Sequence, residues 1–234
     1  MSRLDDVKKF YQIMSKLEKK IGGKKQFGKL SDFENLPEKG IYFLFEKGEL
    51  RSTSGRGLRI VRVGAQAIMP FSRSSMQNRL LSHRGNDEDL GGKHRRSVLR
   101  KLIGRAVMKR DKISIPTWEK RVQPHPKEKQ VEEKISKYVR DNFKFLYLDV
   151  DTDPESWRMR KYFKKNLLSL LGNFKKEEFI DPPSKKWMGN QLSGKDEKVA
   201  ASGLWNAMHV KRKYEPEFLD KLEKYVNAMK AVKK

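Results

Sequence analysis

Two runs of β-branched and aromatic residues, Gly40-Ile41-Tyr42-Phe43-Leu44-Phe45 and Leu58-Arg59-Ile60-Val61-Arg62-Val63-Gly64, constrain this chain more than any other feature. Such side chains suit the pleated, half-buried surface of a sheet. The polar residues 47–57 between them, with Gly and Ser, read as the long loop of an antiparallel hairpin. A third run, Phe145-Leu146-Tyr147-Leu148-Asp149-Val150, predicts a third strand. Around the strands, apolar residues recur at the three- and four-residue steps of helices. Val7, Phe10, Tyr11, Met14, Leu17 and Ile21 mark one, closed by Gly22-Gly23. Ser74 or Ser75 caps a second through Met76, Leu80 and Leu81, which stops at Gly85. Residues 97–108, 131–143 and 156–171 predict three more, a last helix starts near Glu217, and three prolines make residues 114–126 irregular. The expected fold is α/β (α+β), a small three-stranded antiparallel sheet flanked by helices, with an N-terminal helix and a C-terminal helical extension. We expect residues 1–36 to form the N-terminal helix and lead-in, 37–180 the core, and 181–234 an extension packed on it.

Charge narrows the partners. Lys and Arg number 54 against 30 Asp and Glu, a net charge of +24 in 234 residues, and self-repulsion on that scale is relieved by a polyanion. Nucleic acid is the first partner to expect, although a lysine-rich face also occurs as plain solvated surface. No cysteine occurs, which excludes disulfides and thiolate metal sites, and four scattered histidines make no structural zinc site. Residues 1–23 contain no apolar signal core, and no uninterrupted apolar stretch is long enough to cross a bilayer. A soluble cytoplasmic protein without a membrane partner is the expectation.

Specific chemistry enters where the hairpin meets the next helix. Gly40-Ile41-Tyr42 opens the first strand and Arg62-Val63-Gly64 ends the second; Arg79 and His83, four residues apart, share one helical face. Taken alone, Tyr42 is an ordinary strand aromatic, Arg62 a solvent-facing strand residue, and Arg79 with His83 an exposed helix face. Together, in this order and context, they resemble the GIY-YIG nucleases, with arginine replacing the tyrosine of the second motif. The stretches His83-Arg84-Gly85, Gly91-Gly92-Lys93-His94-Arg95-Arg96-Ser97, Asp181-Pro182-Pro183-Ser184 and Ser202-Gly203-Leu204-Trp205-Asn206 look like a bacterial restriction- or repair-like subgroup of that family. The resemblance runs from about Gly40 to Leu219.

That resemblance implies DNA phosphodiester hydrolysis assisted by one divalent ion, Mg²⁺ or a similar cation. Tyr42 would be general base toward water, and Arg79 with Arg62 would hold phosphate oxygens. His83 would tune or relay the tyrosine proton, and Asn173 would be a late polar active-site residue. A phenol ordinarily titrates near ~10, so such a base needs cationic neighbours. Arg84, His94, Arg95 and Arg96 are candidate contacts to double-stranded DNA, the last three just before a helix whose free N–H groups suit phosphate. The metal-binding glutamate of the family falls within Tyr162-Phe163-Lys164-Lys165-Asn166, where Lys164 stands in its place. An ammonium has three donors and no acceptor, so it cannot ligate a hard cation. Lys164 should face the core edge beside Arg160, Leu168 and Leu171; compensation by Glu155, Glu177 or Glu178 requires an unusual arrangement. Two functions follow, a DNA endonuclease whose activity Lys164 puts in question, or a non-cleaving DNA-binding protein descended from one. An RNA-binding module lacks its aromatic sheet or GXXG signature.

Both functions rest on phosphate contacts, so affinity for duplex DNA should fall at least ten-fold between 50 and 200 mM salt, as roughly three or more released counterions require. Fluorescence anisotropy across that range measures the slope, and salt-independent binding would remove the nucleic-acid reading.

Overall fold

The computed structural model describes residues 2–120, 122–152 and 154–231. Helix α1 (Arg3–Lys20) is started by a capping box, the Ser2 hydroxyl accepting from the Asp5 N–H while the Asp5 carboxylate accepts from the Ser2 N–H. Asp5 and Asp6 sit at its positive end and Lys19 and Lys20 at its negative end, each complementing the helix dipole. Its apolar face, including Val7, Phe10, Met14 and Leu17, is buried as the spacing predicts.

The sheet is antiparallel in the order β1 (Lys25–Gln26), β4 (Phe143–Asp149), β2 (Gly40–Leu50), β3 (Leu58–Ala65). Three strands were expected and four are found. The extra one, β1, is two residues long and pairs only with the β4 edge, too short to carry an alternating pattern. Strand β2 is central, with Tyr42 opposite Gly64 on one side and Tyr147 on the other. It also runs further than the sequence predicts, to Leu50, into residues expected to be loop. Glu46 and Glu49 look like solvated loop residues, yet both are buried because partners from distant segments satisfy them. Glu46 accepts from the indole N–H groups of Trp187 (3.1 Å) and Trp205 (2.9 Å) and from the Tyr138 hydroxyl. Glu49 pairs with Arg59 and accepts from Ser184.

The helices flank this sheet: α2 (Met76–Arg84), α3 (Val98–Arg110), α4 (Lys127–Asn142), α5 (Ser156–Leu171), the short α6 (Glu197–Ser202) and α7 (Phe218–Ala228). Ser75 and Ser97 cap α2 and α3 by accepting from Asn78 and Arg100 N–H groups. Helix α7 packs on α1, tied by Lys9–Asp220 (2.6 Å) and Lys16–Glu223 (2.5 Å). Residues 205–206 cover the free edge of β3: the Trp205 N–H donates to the Val61 carbonyl (2.7 Å), and the Asn206 side chain bonds both backbone groups of Val63. One apolar core extends from Val7 to Val226. No helix among the described residues is long and apolar enough to cross a membrane.

Behind the sheet, Arg100 is fully buried and holds three helices together. Its guanidinium donates to the Glu132 carboxylate, the Ser136 hydroxyl (2.9 Å) and the His83 carbonyl (3.1 Å), joining α3 to α4 and to the end of α2. Burial would push the Glu132 carboxyl up, but His94 and Arg100 hold it below the usual range. Removing the carboxylate strands a buried cation, so Glu132→Ala should lose about 3–5 kcal/mol of stability. Urea unfolding measures this, and a change below about 1 kcal/mol would mean that Arg100 finds another partner.

Candidate active site

Strands β2 and β3, helix α2 and helix α5 meet around a cavity of about 310 Å³. Tyr42 from β2, Arg62 from β3, Arg79 and His83 from α2, and Lys164 from α5 all line it. The hairpin pairing places Tyr42 beside Gly64, and this is why residue 64 is glycine: a Cβ there would lie 1.9 Å from the tyrosine ring. Gly40 answers a similar demand, since its Cβ would come within 2.1 Å of the Leu148 carbonyl oxygen in β4. The glycines of the two hairpin motifs are therefore the spaces into which Tyr42 and a neighbouring strand fit.

Tyr42 is 3% exposed and its hydroxyl is 2.9 Å from His83 Nε2. His83 Nδ1 lies 2.7 Å from the Ser97 hydroxyl at the start of α3. Burial, then Arg62, Arg79 and Arg100, push the His83 imidazole well below the ordinary histidine range, so the ring is neutral and carries one N–H. The Tyr42 oxygen also meets the Arg62 guanidinium, which only donates. In the tautomer with the ring proton on Nδ1, Tyr42 donates to Nε2 and Nδ1–H donates to Ser97. The Ser97 oxygen accepts the Arg100 N–H with its second lone pair.

The cations are set by backbone and tail. Arg62 donates to the Trp205 carbonyl, and its buried Nε has no partner among the described residues. Arg79 donates through Nε to Gln66 (3.2 Å) and through a terminal nitrogen to the Arg96 carbonyl (3.1 Å). Helix α5 is fastened on either side of Lys164: Arg160 Nε donates to the Ala67 carbonyl (2.9 Å), and Asn166 accepts the Glu215 N–H (2.9 Å). No hydrogen bond or ion pair reaches the Lys164 ammonium from the described residues. Burial first, then the charges of Arg62 and Arg79, lower its pKa to about 8.

Other sequence candidates lie elsewhere. Asn173 is outside the cavity; its amide bonds both backbone groups of Ile180 and accepts from Arg3, so it closes a loop. Arg84 is buried against the Phe27 carbonyl and Asp87. His94 is buried too, stacked 3.6 Å from Trp118, with its ring nitrogens taken by Glu132 and the Trp118 carbonyl. Arg95 is gripped by both oxygens of Glu128. Of the four expected DNA contacts, Arg96 is exposed with no side-chain partner among the described residues. The sequence reading missed Ser97, Gln66 and Asn206. Ser97 and Asn206 stood only as the last residues of two family-like stretches, with no site role assigned, and nothing local marked Gln66.

The family model described as the GIY-YIG domain matches residues 1–232. The chain belongs to the GIY-YIG family. Searches of curated proteins and of solved structures return no match. The family cleaves DNA as nucleases do and generally uses a divalent metal. The residues of this GIY-YIG chain do not fit such an ion. A hard cation takes carboxylate oxygen, yet among the described residues no carboxylate lines the cavity and no cluster of three or more His, Cys, Asp or Glu could hold a metal. Glu155 is paired with Arg158, and neither Glu177 nor Glu178 reaches the cavity lining.

Since Arg79 bears on both groups, Arg79→Gln should move the Lys164 titration up from near pH 8 toward the ordinary lysine value and raise that of His83 as well. NMR titration of ¹³C-lysine and ¹⁵N-histidine labels reads both. An unmoved Lys164 midpoint would mean that the ammonium does not share the field of Arg79.

Proposed function

We propose that this GIY-YIG chain binds duplex DNA and hydrolyses a phosphodiester bond in the cavity between Tyr42, Arg62, Arg79, His83 and Lys164. One observation carries the reading. Three cationic side chains converge, with no carboxylate among the lining residues, on a tyrosine hydrogen-bonded to a neutral histidine. Cations held together in a half-buried cavity repel one another, and a bound phosphate relieves that repulsion. The +24 net charge draws the same polyanion from a distance.

The roles follow from the geometry. Arg62 and Arg79 hold non-bridging phosphate oxygens. Tyr42 Oη takes a proton from the attacking water as its own proton passes to His83 Nε2. The arriving phosphate opposes the charges that keep His83 neutral, so substrate makes the imidazole a better base at the moment it is needed. With Nδ1–H donating to Ser97, Nε2 is the nitrogen that accepts. A second reading, DNA holding without cleavage, is favoured by the missing carboxylate alone.

Tyr42→Phe should cut duplex DNA roughly 10²–10⁴-fold more slowly while binding it as well as the parent. Arg79→Ala should weaken both binding and cleavage. Gel and anisotropy assays, run with added Mg²⁺ and again with chelator, separate the two effects. Unchanged cleavage by Tyr42→Phe, or a thermal destabilisation that accounts for the activity loss in both variants, would return these residues to plain packing.

A further inference from the structure

Lys164 lines the cavity with Tyr42, Arg62, Arg79 and His83, and its ammonium has no hydrogen-bond or ion-pair partner among the described residues. We infer that this site breaks the bond without any divalent cation, Lys164 being the acid that protonates the leaving oxygen; the inference rests on the nuclease reading above. A metal beside a leaving oxygen supplies positive charge as its P–O bond breaks. An ammonium supplies the same sign of charge and also a proton. A guanidinium gives charge only, because it does not deprotonate in proteins. The cavity thus holds two guanidinium groups suited to clamping and one ammonium suited to proton donation.

The charged groups that bear on the titration of Lys164 are Arg62 from β3 and Arg79 from α2; Tyr42 of β2 and His83 of α2 line the same cavity, and His209 in the C-terminal segment feels the Lys164 charge. With burial, Arg62 and Arg79 bring the ammonium to about 8, close to working pH, where a general acid is still protonated yet gives its proton up readily. Among the described residues no carboxylate lines the cavity to hold that proton back.

The step balances without a co-reactant. The water oxygen forms a bond to phosphorus and gives a proton to Tyr42 Oη, whose own proton moves to His83 Nε2. The P–O bond to the leaving group breaks, its electron pair stays on that oxygen, and the oxygen takes a proton from Lys164 Nζ. The products are an alcohol and a phosphate monoester, with an imidazolium and a neutral amine in the cavity. Proton transfer from the imidazolium to the amine through solvent restores the starting state.

The full chain is stripped of metal and held in EDTA with bacterial genomic DNA, long enough to contain every short target. The inference expects cleavage under EDTA that declines above about pH 8. Lys164→Ala and Lys164→Arg should each lose on the order of 10²-fold or more in rate, while Lys164→Arg keeps its charge and its DNA affinity. Once the cut site is mapped, sulfur is placed at the leaving position. A thiolate departs without a proton, so this substrate should restore cleavage to both variants, a rescue that a purely structural lysine would not give. Cleavage only with added Mg²⁺ overturns the inference and leaves the nuclease reading standing. Cleavage under EDTA that survives Lys164→Ala overturns the role of Lys164. DNA binding with no cleavage in either condition overturns the inference and the nuclease reading together.

Discussion

A guanidinium with no access to water must find its counter-charge inside the protein, and the helical half of this molecule is arranged around that requirement at Arg100. The group meets the Glu132 carboxylate, the Ser136 hydroxyl and the His83 carbonyl, so one side chain joins α3, α4 and the last turn of α2. Two glycines make room for it. A Cβ at Gly92 would lie 2.2 Å from the guanidinium, and Gly85, at φ +84°, would carry its Cβ 2.9 Å from the same group. Gly92 is thus explained by Arg100, and so is the position of His83, whose carbonyl is one of its acceptors; Gly85 is enforced first by the Ser136 hydroxyl at 2.2 Å and the Gly91 carbonyl at 2.5 Å. Glu132 also takes the His94 ring, so a residue that reads as free basic surface becomes part of the support.

From that support the cavity inherits its electrostatics. His83 is neutral because it is buried among three arginines, one of which is Arg100 itself. Its two ring nitrogens, facing Tyr42 and Ser97, then share a single proton. On the opposite wall α5 brings Lys164 rather than a carboxylate. With no carboxylate among the described lining residues, this corner repels a metal cation and attracts phosphate directly.

What the sequence by itself determined is the local order. Strand-forming runs located β2, β3 and β4, the apolar spacing of residues 156–171 matched α5, and four-residue steps put Arg79 beside His83. Periodicity fixes which side chains share a face, so the inward aim of Lys164 was legible as well. Only the tertiary structure decided which polar groups are already taken. Arg95 is held by Glu128, 33 residues away, and Glu46 by two tryptophans more than 140 residues away. Such pairings depend on how elements stack, and spacing along the chain carries no record of them. For the same reason Asn173 became a loop clasp, Arg84 and His94 became supports, residues 47–50 became strand, and Ser97, Gln66 and Asn206 came to hold the site. A charged residue is free or occupied according to what burial brings within about 3 Å of it, and that is a property of the fold.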